Sequence, residues 1–157
     1  MNIDYRNGII ELIELQDFRY FTTLVFNDYD ITVNGARHYL KELHARLDRK
    51  TLGPDWAKMD PVYERLFSIS FMEHPTTNLH WHMLWRSPQH EGKLIEAMPE
   101  FWEKLVPSGN VKTLPIWEIK GLSWYNTKEL TDDSYLPSSV FSSIPSRHGV
   151  GHLSNAG

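Results

Sequence analysis

Two histidines separated by one apolar residue, His80-Trp81-His82, are the side chains of this sequence that are best placed to do chemistry. On an extended strand, alternate side chains project from the same face, so both imidazoles would point together while Trp81 turns to the opposite face. Such a pair offers two nitrogen ligands to a metal ion. Two histidines on a strand can equally be hydrogen-bonded structural residues, so the pair needs further ligands before it indicates a metal site.

A carboxylate upstream strengthens the metal hypothesis. Glu73 precedes His80 by seven positions, and a hairpin between the two would fold its carboxylate back beside the imidazoles. Two nitrogens and one carboxylate oxygen suit a divalent metal that keeps open positions for water or phosphate oxygens. His74 is a competing third ligand, but it begins the predicted turn and precedes a proline, which favours Glu73. The chain has no cysteine, so a metal here must take nitrogen and oxygen ligands.

Tyr125 and Lys128 form a second candidate pair. They are three positions apart, which places them on one face of a helix. Tyrosine is a poor nucleophile at its free pKa of about 10, so a catalytic tyrosine needs a nearby cation or metal to favour the phenolate. Lys128 could supply that charge, or could stabilise charge developing on phosphorus. The alternative is a purely structural pair, because a Tyr and a Lys at this spacing are common on helices.

Taken in order, these motifs resemble those of the HUH endonuclease superfamily, specifically its single-tyrosine rolling-circle replication initiators (Rep proteins). Phe21-Thr22-Thr23-Leu24 lies where the family has its loosely defined first motif. His80-Trp81-His82 matches the second, and Tyr125-Asn126-Thr127-Lys128 matches the third, Tyr-x-x-Lys. Glu73 stands at the spacing at which several viral Rep proteins place a third metal ligand. The resemblance spans residues 18 to 131, and the order of the motifs favours Rep proteins over relaxases, which usually place the tyrosine first.

The resemblance implies a site- and strand-specific endonuclease that nicks single-stranded DNA and can rejoin it. Glu73, His80 and His82 would hold Mg²⁺ or Mn²⁺, which polarises the scissile phosphate. Tyr125 would attack phosphorus and form a 5′-phosphotyrosine intermediate, and Lys128 would stabilise the charge or help to deprotonate the tyrosine. The implied partners are single-stranded DNA or an origin hairpin, together with a host helicase and polymerase.

Two other function classes remain open from the sequence. One is a non-catalytic module that binds single-stranded nucleic acid, and the other is a His/Glu metal-dependent hydrolase with no covalent intermediate. The net charge of −4, from 20 acidic residues against 16 Lys and Arg, argues against broad, non-specific duplex binding. The sequence contains no Gly-x-x-x-x-Gly-Lys loop, so these 157 residues include no helicase motor of that class. The chain would be either the nuclease domain of a longer initiator or a compact one that borrows a host helicase.

Residue patterns predict the elements that must position these groups. Strands are predicted over 19–27, 65–72, 79–85 and 111–119, with a hairpin turn over 74–78 and the last strand at a sheet edge because of Pro115. Helices are predicted from a cap at Thr32 or Asn34 to about Arg49, over 91–105, where Pro99 would kink or divide the helix, and over 122–130, with Ser123 as a cap. One face of the first helix is basic and is predicted to be solvated: Arg37, Lys41, His44, Arg46, Arg49 and Lys50.

This element order predicts an α+β fold in which helices pack on one face of an antiparallel sheet of about four or five strands. The HUH resemblance implies that this fold is ferredoxin-like or RRM-like. Residues 1–132 would form the nuclease domain, and residues 133–157 a serine-rich tail or linker. Most of the aromatic residues are expected to fill the core; Trp124 or Trp85 could stack on unpaired bases, or both could equally belong to the core.

The expected setting is intracellular, without a membrane partner. No stretch contains the roughly 18 consecutive apolar residues that a membrane span needs. The sequence also does not begin with a basic region followed by a long apolar run. A plasmid or phage initiator would work in the bacterial cytoplasm, and a viral one in the host nucleus.

Overall fold

The computed structural model describes residues 3–128 and 135–141, which form an α+β fold around one five-stranded antiparallel sheet. Its strands lie in the order β4-β1-β3-β2-β5. The predicted α+β antiparallel fold is confirmed, and β1-α2-β2-β3-α3-β4 has the βαββαβ order of ferredoxin-like folds. The helices are α1 (Ile3–Leu15), α2 (Val33–Leu52), α3 (Glu91–Leu105) and α4 (Ile119–Asn126), and the strands are β1 (Tyr20–Val25), β2 (Phe67–Glu73), β3 (His80–Arg86), β4 (Asn110–Pro115) and β5 (Tyr135–Pro137).

One face of the sheet packs against α2 and α3 through three fully buried tryptophans. Each indole N–H donates to an acceptor: Trp81 to a carbonyl oxygen of α2, Trp102 to a carbonyl oxygen of β1, and Trp85 to a hydroxyl of β1. Buried tryptophans need such partners because an unsatisfied indole N–H is costly. The suggestion that Trp85 stacks on bases is therefore wrong, because its ring lies in the core.

The opposite face of the sheet packs against α1 and α4, so the prediction that helices pack on one face is wrong. Ile9 and Ile13 of α1 pack with Phe67, Ile69 and Phe71 of β2. The sequence analysis did not predict α1. Because both faces are covered, β2 is buried along its whole length, although its sequence alternates apolar and polar residues.

The end of the described chain differs from the predicted pattern in three places. β4 lies at a sheet edge as predicted, but it ends at Pro115 rather than continuing to residue 119. α4 begins earlier than predicted, because the Glu118 side chain caps it by accepting from Gly121 N at 3.1 Å; Ser123 is not the cap. β5 comes from the stretch assigned to the tail and pairs with β2. Residues 142–157 of that tail lie outside the described residues.

Helices α2 and α3 follow their sequence patterns more closely. Thr32 caps α2 by accepting from Gly35 N at 2.9 Å, and Pro99 lies inside the single helix α3. His44 is the exception on α2, because it is buried rather than solvated with the other basic residues. Its Nε2 lies 3.0 Å from the Ser68 hydroxyl of β2, and burial, followed by the charge of Arg65, lowers the pKa of His44 to about 3.

The low pKa of His44 predicts that the protein loses stability in mild acid. Above the unfolded pKa of 6.5, His44 is neutral in both states and does not affect stability. Between 6.5 and about 3 only the unfolded state takes up the proton, so the free energy of unfolding falls with decreasing pH, by at most about 1.4 kcal/mol per pH unit. We expect His44→Gln to flatten this dependence in urea unfolding measured from pH 7 to pH 4. His38→Gln, on the exposed part of the same helix, should leave it unchanged; equal slopes for His44→Gln and the unsubstituted protein would contradict the assignment.

Candidate functional site

The β2–β3 hairpin brings the predicted metal ligands together. Glu73 is the cross-strand partner of His80, and Phe71 is the partner of His82. Directly opposed residues of an antiparallel pair lie on the same face, so Glu73, His80 and His82 share the sheet face that is covered by α1 and α4. Trp81 points to the other face and fills the core. The alternate facing that the sequence predicts for this strand is confirmed.

The Glu73 carboxylate is the centre of the cluster. Its Oε2 lies 3.1 Å from His80 Nε2 and 3.0 Å from His82 Nε2. The Glu73 side chain is 5% exposed and that of His82 is 8% exposed, so water screens these contacts weakly. The second carboxylate oxygen, Oε1, is also buried, accepts no hydrogen bond from the described residues, and lies 3.6 Å from Lys128 Nζ.

Hydrogen bonds to the outer nitrogens orient both imidazoles. His80 Nδ1 lies 2.9 Å from the Asn78 carbonyl oxygen, which can only accept, so His80 Nδ1 carries a proton. A neutral His80 then directs the lone pair of Nε2 at the Glu73 carboxylate, which is repulsive unless a proton or a cation lies between them. His82 Nδ1 is held by the Thr23 hydroxyl at 3.3 Å. Outer partners of this kind are typical of metal-binding histidines.

Electrostatics lower the pKa values of both Glu73 and His82. Burial by itself raises the pKa of Glu73, but its hydrogen bond to His82, its electrostatic interactions with His82 and Lys128, and the His80 hydrogen bond outweigh burial and hold that pKa below its usual value. Burial lowers the pKa of His82, although contact with Glu73 opposes that shift. Both shifts favour the deprotonated forms of these side chains, which are the forms that bind a metal ion.

His74 also belongs to this cluster. One ligand atom from each of Glu73, His74 and His80 lies within 4.8 Å of the other two, so this group could hold a metal ion. The sequence analysis ranked His74 below Glu73 because of its place in the turn, yet the structure puts both residues at the site. Two or three imidazole nitrogens with one carboxylate oxygen form a donor set that suits a divalent metal.

Tyr125 and Lys128 lie beside the same cluster. The Tyr125 ring centroid is 6.1 Å from that of His82, and the side chain is 49% exposed. Lys128 Nζ lies 3.9 Å from the Tyr125 ring centroid, although Lys128 follows the end of α4 rather than lying within it as predicted. The lysine therefore contacts the candidate nucleophile and the candidate metal ligand at once.

Arg6 of α1 holds this end of α4 in place. Its Nη2 donates to the Trp124 carbonyl oxygen at 3.1 Å, its Nε donates to the Thr127 hydroxyl at 3.2 Å, and its guanidinium lies 4.2 Å from the Trp124 ring centroid. A cation at a helix C-terminus is favourable because the last carbonyls lack helical partners. Sequence analysis missed Arg6; the apolar spacing of Ile9 and Ile13 was the available signal for its helix.

Two exposed tryptophans lie on or next to α4, and one exposed lysine lies on β4. Trp124 is 53% exposed and Trp117 is 91% exposed. Lys112 of β4 is exposed and is the cross-strand partner of Thr23, which is itself the partner of His82. This row of residues runs from the candidate ligand His82 to the edge of the sheet, and it ends on a positive charge.

Comparisons with protein-family models, with curated proteins and with solved structures gave no match to this chain. The HUH resemblance therefore stays a prediction that rests on the motifs. Among the described helices, none is both long enough and apolar enough to cross a membrane.

If this site binds a divalent metal ion, that ion should stabilise the folded protein. A ligand that binds only the folded state adds about 2.7 kcal/mol at 100 times its Kd, so Mn²⁺ should raise the melting temperature of the metal-free protein in a concentration-dependent way. Glu73→Gln keeps the shape of the side chain but removes its charge, and we expect it to abolish the response. Glu103→Gln, at an exposed position of α3, is the matched control and should respond like the unsubstituted protein. The same Mn²⁺ response in both variants would contradict the site.

Proposed function

We propose that this chain is a site- and strand-specific single-stranded DNA endonuclease and ligase of the HUH type that initiates rolling-circle replication. It would nick DNA by transesterification, with Tyr125 as the nucleophile and a 5′-phosphotyrosine ester as the intermediate. In this proposal Glu73, His80 and His82 hold Mg²⁺ or Mn²⁺. When bound, the metal would act as a Lewis acid on the scissile phosphate.

The observation that carries the proposal is the closeness of the tyrosine to the carboxylate and histidine cluster. A half-exposed Tyr125, with its ring centroid 6.1 Å from that of the ligand candidate His82, would be open to a phosphodiester lying over the cluster. A tyrosine with a purely structural role has no need of this exposure beside ionisable groups. The closeness favours covalent catalysis over water activation by the same ligands.

Lys128 supports the chemistry through its two contacts. Its ammonium lies 3.9 Å from the Tyr125 ring centroid and 3.6 Å from Glu73 Oε1. A positive charge at this point would offset the negative charge that develops on the phosphorus oxygens. Because the side chain is 41% exposed, its ammonium would be accessible to an incoming phosphate while it stays beside Glu73.

The reaction exchanges one phosphodiester for another. The bond from the Tyr125 oxygen to phosphorus forms while the bond from phosphorus to the 3′ oxygen breaks, and the phenol proton ends on the released 3′-hydroxyl. Little free energy is lost, so the same residues can catalyse the reverse attack by a 3′-hydroxyl and rejoin the strand. No nucleotide cofactor is needed for either direction.

Unpaired DNA is the substrate that fits the surroundings of the site. Exposed tryptophan rings are suited to stacking on bases; Arg6 lies over the ring of Trp124 at 4.2 Å, so a base would stack on the opposite side of that ring. Lys112 could contact a backbone phosphate along the row that begins at His82. An origin hairpin would present such a strand, and a host helicase and polymerase would extend the nick in the bacterial cytoplasm or, for a virus, in the host nucleus.

Loss of the Tyr125 hydroxyl should abolish the covalent intermediate. Tyr125→Phe removes only the attacking oxygen, so we expect no DNA-linked protein on denaturing gels after incubation with labelled single-stranded DNA and Mn²⁺. Binding to the DNA and the melting temperature should stay unchanged. Tyr63→Phe, another exposed tyrosine, is the matched control and should form the adduct.

Three other outcomes would each reject part or all of the proposal. An adduct that persists in Tyr125→Phe would move the nucleophile to another residue, first of all Tyr135, which pairs with Phe71 beside His82. DNA cleavage without any adduct in the unsubstituted protein would instead indicate a metal-dependent hydrolase, and binding without cleavage would indicate a non-catalytic module.

A further inference from the structure

His74 occupies an unusual backbone position next to Glu73. Its φ is 51°, in the left-handed region that residues other than glycine seldom adopt. It is the first residue of the turn between β2 and β3, and its carbonyl oxygen accepts from Thr77 N at 3.2 Å. Strained backbone of this kind persists where the surrounding structure requires it, and it is frequent at ligand sites.

With this backbone conformation, the exposed His74 ring lies next to His80 and Glu73. Its centroid is 5.3 Å from that of His80, and one of its nitrogens lies within 4.8 Å of ligand atoms of both Glu73 and His80. His82 contacts the same carboxylate through Oε2. Three imidazoles from consecutive parts of one hairpin therefore surround a single carboxylate.

We propose that His74 is an additional metal ligand, which makes the site selective for Mn²⁺ and Zn²⁺ over Mg²⁺. This inference rests on the metal site of the proposed function. Imidazole nitrogens favour transition metals, whereas Mg²⁺ prefers carboxylate, carbonyl and water oxygens. Two imidazoles and a carboxylate leave room for a hydrated Mg²⁺, but a third imidazole replaces one more oxygen position with nitrogen. His74 thus determines which ion the nuclease uses.

The test is metal binding to the whole metal-free protein, measured by titration calorimetry with Mn²⁺, Zn²⁺ and Mg²⁺ in the absence of DNA. His74→Asn removes the imidazole but keeps a residue that tolerates the left-handed conformation. We expect its Kd for Mn²⁺ to rise about tenfold or more, since loss of even an outer partner of a ligand costs about 10- to 100-fold. The Kd for Mg²⁺ should stay within about twofold, because the remaining ligands are unchanged.

His90→Asn is the matched control. His90 is also an exposed histidine with a positive φ, 64°, but it lies at the start of α3, away from the hairpin turn. The His90→Asn variant should bind all three ions like the unsubstituted protein. Pulsed electron paramagnetic resonance of bound Mn²⁺ gives a second readout, in which His74→Asn should lose the modulation from one imidazole nitrogen and His90→Asn should lose none.

The outcomes separate this inference from the proposed function. Unchanged Mn²⁺ affinity and nitrogen modulation in His74→Asn, or equal affinity of the unsubstituted protein for Mg²⁺ and Mn²⁺, would overturn the role of His74 even if the protein nicks DNA. A loss of Mn²⁺ affinity in His74→Asn alone would support the role of His74 even if no DNA adduct ever forms. Melting temperatures of the metal-free variants check that both are folded.

Discussion

The shared contact of one carboxylate oxygen with two imidazoles is the constraint on which the rest of the site depends. Glu73 Oε2 lies within 3.1 Å of Nε2 of both His80 and His82, in surroundings where water screens charge weakly. Such a cluster is stable only when a proton or a cation balances the carboxylate and its partners are well oriented. The hydrogen bonds that His80 and His82 make with the Asn78 carbonyl oxygen and the Thr23 hydroxyl supply that orientation, and Lys128 adds a positive charge beside the second carboxylate oxygen.

The two faces of the sheet have different roles. On the α2 and α3 face, Trp81 and its neighbours form a dense core that fixes the register of the β2–β3 hairpin, because a shift by one residue would turn Trp81 out of that core and both histidines into it. On the other face, α1 and α4 cover the apolar half of β2, and Tyr125 of α4 lies half-exposed beside the buried His82. The α2 and α3 face thus fixes the hairpin, and the opposite face carries the candidate metal ligands together with Tyr125.

Local patterns predicted the elements that carry the site, because the hairpin and its alternating strand are defined by residues that are close in sequence. The positions of Glu73, His80 and His82 on one face follow from the same short-range rules. Arg6 could not be linked to α4 in this way, since that contact joins residues about 120 positions apart. The burial of His44 and Trp85 likewise depends on how α2 packs on the sheet, and residue type alone predicts the opposite for a histidine in a basic helix.

The place of His74 depends on a single backbone torsion that the residue types do not specify. The turn was expected from Pro75 and Asn78, and with its left-handed first residue the exposed His74 ring lies 5.3 Å from that of His80. A histidine before a proline would normally be extended. The tertiary structure therefore places beside Glu73 a candidate ligand that the sequence analysis had ranked below it.

The central claim is that Tyr125 and the Glu73 cluster form one catalytic site, and peptide mapping by mass spectrometry tests it most directly. The unsubstituted protein would be incubated with a random-sequence single-stranded DNA library and Mn²⁺, digested with nuclease and protease, and searched for phosphonucleotide-modified peptides. The account predicts a 5′-phosphonucleotide on Tyr125 that disappears when a chelator replaces Mn²⁺. An unmodified Tyr125, or a modified Tyr125 that persists in chelator, would contradict it.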